Sequence, residues 1–265
     1  DDFGFLRLGQ HTLGELWRWD LGWFYRPVFL TWFWLLLRAV GQRPEAFHVS
    51  QLIVHGLNAC LLGLLVFRVS GRPWAASVCA LVFVLALRGN QAVWWVSAAS
   101  VTLMSLFMLL TLLAWHTFLK RQQPVWYVLA LVGAALALCA REEAVILAPA
   151  MALMEALVAA PRPWRRAAVQ YLPLVVLTAV WLLLALRAHA AYVRSPADFM
   201  DYDARSYVEA LSPGALPARL QWTVAVVHNA WHGALPLMPL SAVGLIGLGC
   251  VVASGWGDRR TLWFL

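Results

Sequence analysis

The stretch FHVSQLIVHGLNACLLGLLVF, residues 47–67, decides the fold of this chain. It contains no Asp, Glu, Lys or Arg, and its length matches the roughly 20 residues that a helix needs to cross a membrane. Four further runs also lack these charged residues: Gly89–Leu119, Gln122–Ala140, Ala167–Leu186 and Leu220–Gly257. A water-soluble helix of this length would carry a polar stripe, which most of these runs lack. The sequence therefore predicts an all-α membrane protein.

The composition supports the same class and excludes a nucleic-acid partner. Apolar residues make up 62% of the chain and charged residues 12%, with a mean hydropathy of +0.71. Soluble domains carry about 25% charged residues. The net charge of +7 is carried by short basic clusters between the apolar runs, which is the pattern of positively charged cytoplasmic loops and not of a nucleic-acid-binding face. Membrane lipids are therefore the expected surroundings.

The order of apolar runs and basic clusters predicts one transmembrane domain with about seven crossings. Six crossings are expected within 46–187, at residues 47–67, 74–87, 98–119, 125–140, 144–160 and 167–186. Basic clusters follow the first, third and fifth of them and place those helix ends in the cytoplasm. An external loop with a surface helix is expected at 188–239, and a further crossing within 240–265.

The first section, residues 1–45, is expected to be an external loop that carries an interfacial helix. Its apolar run, residues 28–40, is too short to cross and suits a helix in the membrane interface, anchored by Trp32 and Trp34. In this topology every carboxylate except Glu155 and Asp258 lies on the external face. That asymmetry points to acid/base chemistry at one membrane surface.

Polar residues within the first long apolar run share one helix face. His48, Gln51, His55 and Asn58 are spaced 3, 4 and 3 residues apart, which spreads them over about 15 Å of helix. Polar side chains in a membrane helix face the protein interior or a cavity. Two interpretations stay open: hydrogen bonds between helices, or direct contact with a substrate.

Charged residues at the predicted external ends of helices are the candidates for binding a phosphate. Arg141 is followed by Glu142 and Glu143, which predicts either a salt-bridged cap or an arginine that binds a lipid phosphate while one glutamate orients it. Arg26 is a second phosphate candidate in the same layer. His228 and His232 have the i, i+4 spacing of metal ligands, but no third ligand accompanies them, so no metal site is predicted.

Several short motifs follow one another in a characteristic order within residues 1–157. They are Tyr25-Arg26-Pro27, then Gly41 and Pro44, then His48 with Gln51, His55 and Asn58, then Val93-Trp94-Trp95-Val96-Ser97, and then Arg141-Glu142 ahead of an apolar helix. In their order and spacing these motifs resemble the membrane glycosyltransferases of the GT-C superfamily. The similarity is greatest to the protein O-mannosyltransferase-like and tetratricopeptide-associated (TMTC-type) branches.

The resemblance implies a GT-C type helical bundle, a polyprenyl-phosphate-sugar donor and an acidic pair in the first external loop. Asp1 and Asp2 match that pair, which implies that one of them is the general base and that the chain is a fragment without the first transmembrane helix. Basic residues of the family bind the donor phosphate, and Arg26 and Arg141 stand at their positions. The residues implied in substrate binding are Tyr25, Arg26, His48, His55, Trp95, Arg141 and Glu142.

The chain departs from the family pattern in the second external loop. Gln91 stands where relatives carry Glu before the Val-x-Trp element, and Val101 stands where an acidic residue is expected after it. We expect an inverting glycosyltransferase in a bacterial inner membrane, with the active site facing the periplasm or exterior and a protein, lipid or glycan acceptor. No cofactor is predicted apart from the lipid donor, and a divalent metal stays open. The alternative is a non-enzymatic membrane protein, either a degenerate relative, a structural subunit or a transporter.

Overall fold

The structure is a computed structural model that describes residues 8–18, 24–85, 95–159 and 164–194, and all their regular secondary structure is helical. The helices are α1 (Pro27–Val40), α2 (Pro44–Ser70), α3 (Pro73–Leu85), α4 (Ala99–Arg121), α5 (Pro124–Ala140), α6 (Leu147–Val158) and α7 (Trp164–Arg194). Short 3-10 turns occupy Glu15–Trp17, Val96–Ala98 and Glu142–Ile146. The predicted all-α class is confirmed.

Local residue chemistry sets many of the helix ends. Four helices begin at a proline, whose fixed φ suits the first helical position: Pro27, Pro44, Pro73 and Pro124. Helix α2 ends at Gly71, whose φ of 69° lies in the left-handed region that glycine adopts without strain. Helix α4 ends in the same way at Gln122, with a φ of 55°.

Among the described residues, three helical segments are long and apolar enough to cross a membrane, as expected of a membrane protein. They are Pro44–Ser70, Val96–Arg121 and Ala168–Ala188. These segments contain the crossings predicted at 47–67 and 98–119 and most of the one predicted at 167–186. The other predicted crossings are shorter: α5 has 17 residues, α6 has 12, and α3 is described only as far as Leu85.

Two predicted elements can be set beside the observed helices. The crossing predicted at 144–160 corresponds to the 3-10 turn at Glu142–Ile146 followed by α6, Leu147–Val158. Helix α7 continues to Arg194, past residue 188, where the external loop is expected to begin, while its apolar span ends at Ala188. The surface helix and the further crossing predicted beyond residue 194 lie outside the described residues.

Helix α4 is the central helix of the bundle, and α5 packs antiparallel to it. Phe118 near the end of α4 meets Tyr127 near the start of α5, with ring centroids 5.3 Å apart. Midway along the pair, a Cβ atom at Gly133 would lie 2.5 Å from the Thr111 hydroxyl oxygen. Small residues permit this close approach, and the neighbouring interface positions of α5 are also small and buried, at Ala130, Ala134 and Ala137.

Helix α2 runs parallel to α4, and the short α6 is held by a buried tryptophan. Asn58 of α2 donates to the Thr102 carbonyl near the start of α4, and Arg68 donates to Thr117 near its end. Trp115 of α4 has no exposed surface, and its indole N–H donates to the Met151 carbonyl of α6 over 3.2 Å. Tertiary contacts therefore stabilise α6 despite its length.

The described part of the first loop packs on α1. Leu8 and Leu16 are buried, and the Trp17 indole donates to the Thr31 hydroxyl over 3.0 Å. Trp34, expected to anchor in the membrane interface, donates its indole N–H to the His11 carbonyl over 2.9 Å. Residues 8–18 and α1 thus form one packed unit.

Helix α1 in turn packs near the ends of α4 and α5. Val28 shares a buried cluster with Leu103 near the start of α4 and Ala140 at the end of α5. We call this end of the bundle, where α2 and α4 begin and α5 ends, the amino end. The opposite end, where α2 and α4 end and α5 begins, is the carboxyl end.

Candidate functional site

An ion pair between Arg26 and Glu142 joins the first loop to the turn after α5 at the amino end. Arg26 donates from Nε to Glu142 Oε2 over 2.9 Å and from Nη2 to Oε1, so the pair is bidentate. The Arg26 side chain is 15% exposed, and its guanidinium lies 4.1 Å from the ring centroid of Phe24. A planar guanidinium held by two parallel hydrogen bonds has a fixed orientation.

The backbone at Arg141 explains why neighbouring side chains reach different partners. Helix α5 ends at Ala140, Arg141 is extended with φ −165° and ψ 146°, and a 3-10 turn begins at Glu142. Arg141 donates from Nε to Glu143 Oε2 over 2.6 Å and from Nη1 to the Ser100 hydroxyl over 3.2 Å. Its Nη2 has no hydrogen bond within the described residues.

The salt-bridged arrangement expected after α5 is present, and each glutamate has its own arginine. The Glu142 carboxylate binds Arg26, and Glu143 binds Arg141. The reason is the extended residue, which turns consecutive side chains away from one another. The Glu143 side chain is 52% exposed and the Glu142 side chain 36%, so the Arg141 pair is the more open to solvent. Exposed pairs are weak and exchange readily.

The electrostatics of the cluster favour an ionised Glu142. Burial by itself raises the pKa of the Glu142 carboxyl, but the hydrogen bonds and charge of Arg26, with the charge of Arg141, outweigh burial and hold the pKa below its ordinary value. Two arginines and two glutamates therefore form a charge-balanced cluster at this end.

Tyr25 lies beside this cluster and is half-buried. Its hydroxyl donates to the Trp17 carbonyl over 3.5 Å, a long and weak contact. Burial, with a smaller effect of Cys139, raises the pKa of the Tyr25 phenol above its ordinary value. The phenol therefore stays neutral at physiological pH and can donate a hydrogen bond to an anion.

Two members of the predicted polar face on α2 bind α4. The Thr102 hydroxyl donates to Gln51 Oε1 over 2.7 Å, and Gln51 Nε2 donates to the Val96 carbonyl over 3.3 Å. Asn58 Nδ2 donates to the Thr102 carbonyl over 2.9 Å. For Gln51 and Asn58 the interhelical hydrogen-bond interpretation is confirmed.

The histidines of that face and Trp95 do not join the arginine cluster. His55 is buried and stacks on Phe83 of α3, with ring centroids 4.9 Å apart. His48 Nδ1 is buried and has no hydrogen-bond partner within the described residues. The Trp95 side chain is 54% exposed and precedes the 3-10 turn whose Val96 carbonyl binds Gln51. Their predicted contacts with a substrate stay predictions.

Some predicted site residues lie outside the described residues. They are Asp1, Asp2, Gln91, His228 and His232. Among the residues that the structure describes, no group of three or more His, Cys, Asp or Glu is placed to hold a metal ion. The chemistry of the described part of the amino end is therefore that of arginine, carboxylate and hydroxyl groups.

Sequence reasoning did not find Ser100, Thr102 or the partner of Glu142. Ser100 and Thr102 are fully or almost fully buried in the first turn of α4. Hydroxyl residues at the start of an apolar run were the available signal. A buried hydroxyl near a helix start needs a hydrogen-bond partner, and both hydroxyls have one here.

Comparisons with known proteins gave no match from which a function could be taken. The chain matches no protein-family model, no curated protein and no solved structure. Function is therefore argued from the residues of the amino end and from the motif order that runs through them.

Proposed function

We propose that this chain is a membrane glycosyltransferase of the GT-C type, with about seven crossings, that moves a sugar from a polyprenyl-phosphate donor to an acceptor hydroxyl. The reaction takes place on the external, periplasmic face of a bacterial inner membrane. The observation that carries the proposal is the meeting of Arg26 and Arg141, which are far apart in the chain, on the consecutive carboxylates Glu142 and Glu143. These arginines are the two expected to bind the donor phosphate.

Arg141 is the better placed of the two arginines to bind the phosphate directly. Its Nη2 is unused within the described residues, and its carboxylate partner Glu143 is about half exposed. The buried Ser100 hydroxyl accepts from Nη1 and fixes the direction of the guanidinium. A phosphodiester can therefore replace Glu143 at Arg141 without moving the arginine far.

Arg26 acts on the same anion from a fixed position. Its two hydrogen bonds to Glu142 hold the guanidinium, and the positive charge remains close to the turn that carries Arg141. Negative charge accumulates on the phosphate as the sugar leaves, and nearby arginines stabilise that charge. At a helix end an arginine reaches the headgroup layer without being buried in hydrocarbon.

The reaction is a single displacement at the anomeric carbon. The acceptor oxygen forms a new bond to that carbon, and the bond from the carbon to the phosphate oxygen breaks. The polyprenyl phosphate leaves with the bonding electron pair, and the acceptor proton passes to Asp2 or Asp1 as general base. One displacement inverts the anomeric configuration. The base assignment rests on the resemblance, since both residues lie outside the described part of the chain.

A second candidate is a non-enzymatic membrane protein. It is favoured by the charge balance of the amino end, where each arginine already has a carboxylate partner. It is also favoured by Gln91 and Val101 at positions where relatives carry acidic residues. In this case the two ion pairs only clamp the first loop and the turn after α5 to the bundle.

Transfer from a radiolabelled polyprenyl-phosphate sugar, with donor binding measured separately, tests the proposal. Asp2→Asn should abolish transfer and leave donor binding intact, because a base acts on the acceptor. Arg141→Ala should weaken donor binding by about tenfold and slow transfer by about 100-fold, because the phosphate loses a charged partner in both the ground state and the transition state. Arg26→Ala should behave like Arg141→Ala.

Arg43→Ala is the matched control. Arg43 is an exposed arginine at the N-terminus of α2, at the same end of the bundle, and forms no ion pair within the described residues. Its loss should change transfer little. Full activity in the double variant Asp1→Asn/Asp2→Asn would remove the base assignment. A wild-type chain that binds no lipid-phosphate sugar would establish the non-enzymatic alternative as the better one.

A further inference from the structure

Two cationic side chains converge at the carboxyl end of the bundle. Arg68, in the last turn of α2, donates from Nη1 to the Thr117 hydroxyl of α4 over 3.2 Å. That hydroxyl donates in turn to the Leu113 carbonyl over 2.7 Å, so Arg68 is held against α4. Lys120 lies three residues after Thr117, which places it on the same face of α4, one turn from the Arg68 contact.

Neither of these cations has an acidic partner among the described residues. The ion pairs found there involve Glu15, Glu142 and Glu143, all remote from the carboxyl end. Glu155 of α6 accepts a hydrogen bond from the Tyr171 hydroxyl over 3.1 Å. The positive charge of Arg68 and Lys120 is therefore not balanced by a carboxylate in the described part of the bundle.

Capping of the helix ends does not account for these cations. Cationic side chains often satisfy the last carbonyl groups of a helix. At the end of α2, however, the Gly71 N–H donates to the Phe67 carbonyl over 2.7 Å. At the end of α4, Gln122 donates from its backbone to the Phe118 carbonyl over 2.8 Å and from its side chain to the Leu119 carbonyl over 2.9 Å. The two cationic side chains remain available to an external anion.

The residues around the two cations are of the kinds found near lipid headgroups. Trp74 and Trp126 lie in the first turns of α3 and α5 at this end, and tryptophan is enriched where a helix passes the membrane interface. On the last turns of α2, Leu64 and Phe67 are exposed. An apolar surface thus runs from the cations along α2 into the membrane layer.

We propose that the carboxyl end binds the phosphate headgroup of an anionic phospholipid between α2 and α4. Arg68 and Lys120 contact the phosphate oxygens, and the acyl chains lie along the exposed apolar side chains of α2. The apolar surface beside the cations favours a lipid over a soluble phosphate. The proposal is independent of glycosyl transfer, because none of its residues belongs to the amino end.

Competition between two phospholipids tests this site. The full chain in neutral detergent is mixed with equal amounts of phosphatidylglycerol and phosphatidylcholine of the same chain length, and retained lipid is counted by native mass spectrometry. The wild type should retain phosphatidylglycerol preferentially. The preference should fall about fivefold for each cation removed in Arg68→Gln and Lys120→Gln, and further in the double variant. Arg43→Gln, an equal charge change at the other end of α2, should leave it unchanged.

Two further measurements use the wild type, so they do not depend on the folding of a variant. They distinguish a lipid phosphate from a free phosphate. Added salt should reduce the preference, because exposed charges are screened. Inorganic phosphate at the same ionic strength should displace no more lipid than chloride does. Equal retention of both lipids, a preference insensitive to salt, or the same preference in the double variant would overturn the proposal. Selective displacement by inorganic phosphate would overturn the lipid assignment.

Discussion

At the amino end Arg26 and Arg141 each bind a carboxylate, whereas at the carboxyl end Arg68 and Lys120 have no acidic partner among the described residues. The paired arginines have fixed orientations, which suits a site that must aim positive charge at one developing anion. The positive charge of Arg68 and Lys120 is not neutralised by a carboxylate of the described residues, so it attracts any anion at the membrane interface. The comparison shows that the count of basic residues is less informative than the groups that each of them faces.

The helix termini add a second difference between the two ends. Helices α2 and α4 both begin at the amino end, and neither has a side-chain cap on its first N–H groups. Both end at the opposite end, where the partial charge of a helix is negative and attracts cations. The amino end therefore has two kinds of group that favour an anion: the paired arginines and the uncapped backbone N–H groups of α2 and α4.

The largest effect on stability is expected midway between the two ends, at Gly133. Gly133→Ala places a Cβ atom 2.5 Å from the Thr111 hydroxyl oxygen, so either the hydroxyl leaves its hydrogen bond to the Phe107 carbonyl or α4 and α5 separate. Such overpacking should cost about 1–3 kcal/mol of the free energy of unfolding. The double variant Gly133→Ala/Thr111→Ala should regain most of it, since the clashing atom is gone. Thermal unfolding in detergent measures both, and a wild-type melting temperature in Gly133→Ala would contradict the close packing.

The two glutamates of the amino end should differ in their contribution to stability. Glu142→Gln leaves the largely buried Arg26 without a charged partner and should cost about 1–2 kcal/mol, less than for a fully buried pair because a third of the Glu142 side chain is exposed. Glu143→Gln breaks a more exposed pair and should cost at most about 0.5 kcal/mol. Denaturant unfolding compares them, and equal losses would show that burial does not distinguish the pairs.

Acid should remove the contribution of Glu142 selectively. Because the folded-state pKa of Glu142 lies below its ordinary value, the carboxylate stabilises the fold above the unfolded-state pKa of about 4.3, and the contribution is lost as pH falls through the folded-state pKa. The difference in melting temperature between wild type and Glu142→Gln should be constant from about pH 7 to pH 5 and shrink below about pH 4. A difference that grows on acidification has the wrong sign for this ion pair.

The smallest effect is expected for the hydrogen bond that aligns α2 with α4. Asn58→Ala removes the donor to the Thr102 carbonyl and should cost about 0.6 kcal/mol, the average for hydrogen bonds between membrane helices. Donor-lipid binding should not change, because Asn58 Nδ2 donates to the backbone of α4. A loss of donor binding with unchanged stability would favour direct contact of this face with the substrate.

The apolar runs predicted the position of several helices, because they depend on local sequence. The 3-4-3 spacing of polar residues on α2 is a signal of the same kind, and the prolines that begin α1, α2 and α5 are a further local signal that the prediction did not use. The pairing of Arg26 with Glu142 could not be predicted, since it depends on how α1 packs against α5. The break at residues 141–143 was predicted, but the 3-10 turn at Glu142–Ile146 was not, because an extended residue at Arg141 carries no distinctive local signal.

The most direct test of whether the donor phosphate binds at the amino end and not at the carboxyl end is the binding of radiolabelled polyprenyl phosphate to three variants in phosphatidylcholine nanodiscs. We expect Arg141→Ala to weaken binding by about tenfold or more, because a charged hydrogen-bond donor to the phosphate is lost. Arg43→Ala, at the same end, and Arg68→Gln, at the carboxyl end, should bind within about twofold of the wild type. Wild-type binding in Arg141→Ala, or an equal loss in Arg68→Gln, would contradict the assignment of the donor phosphate to the amino end.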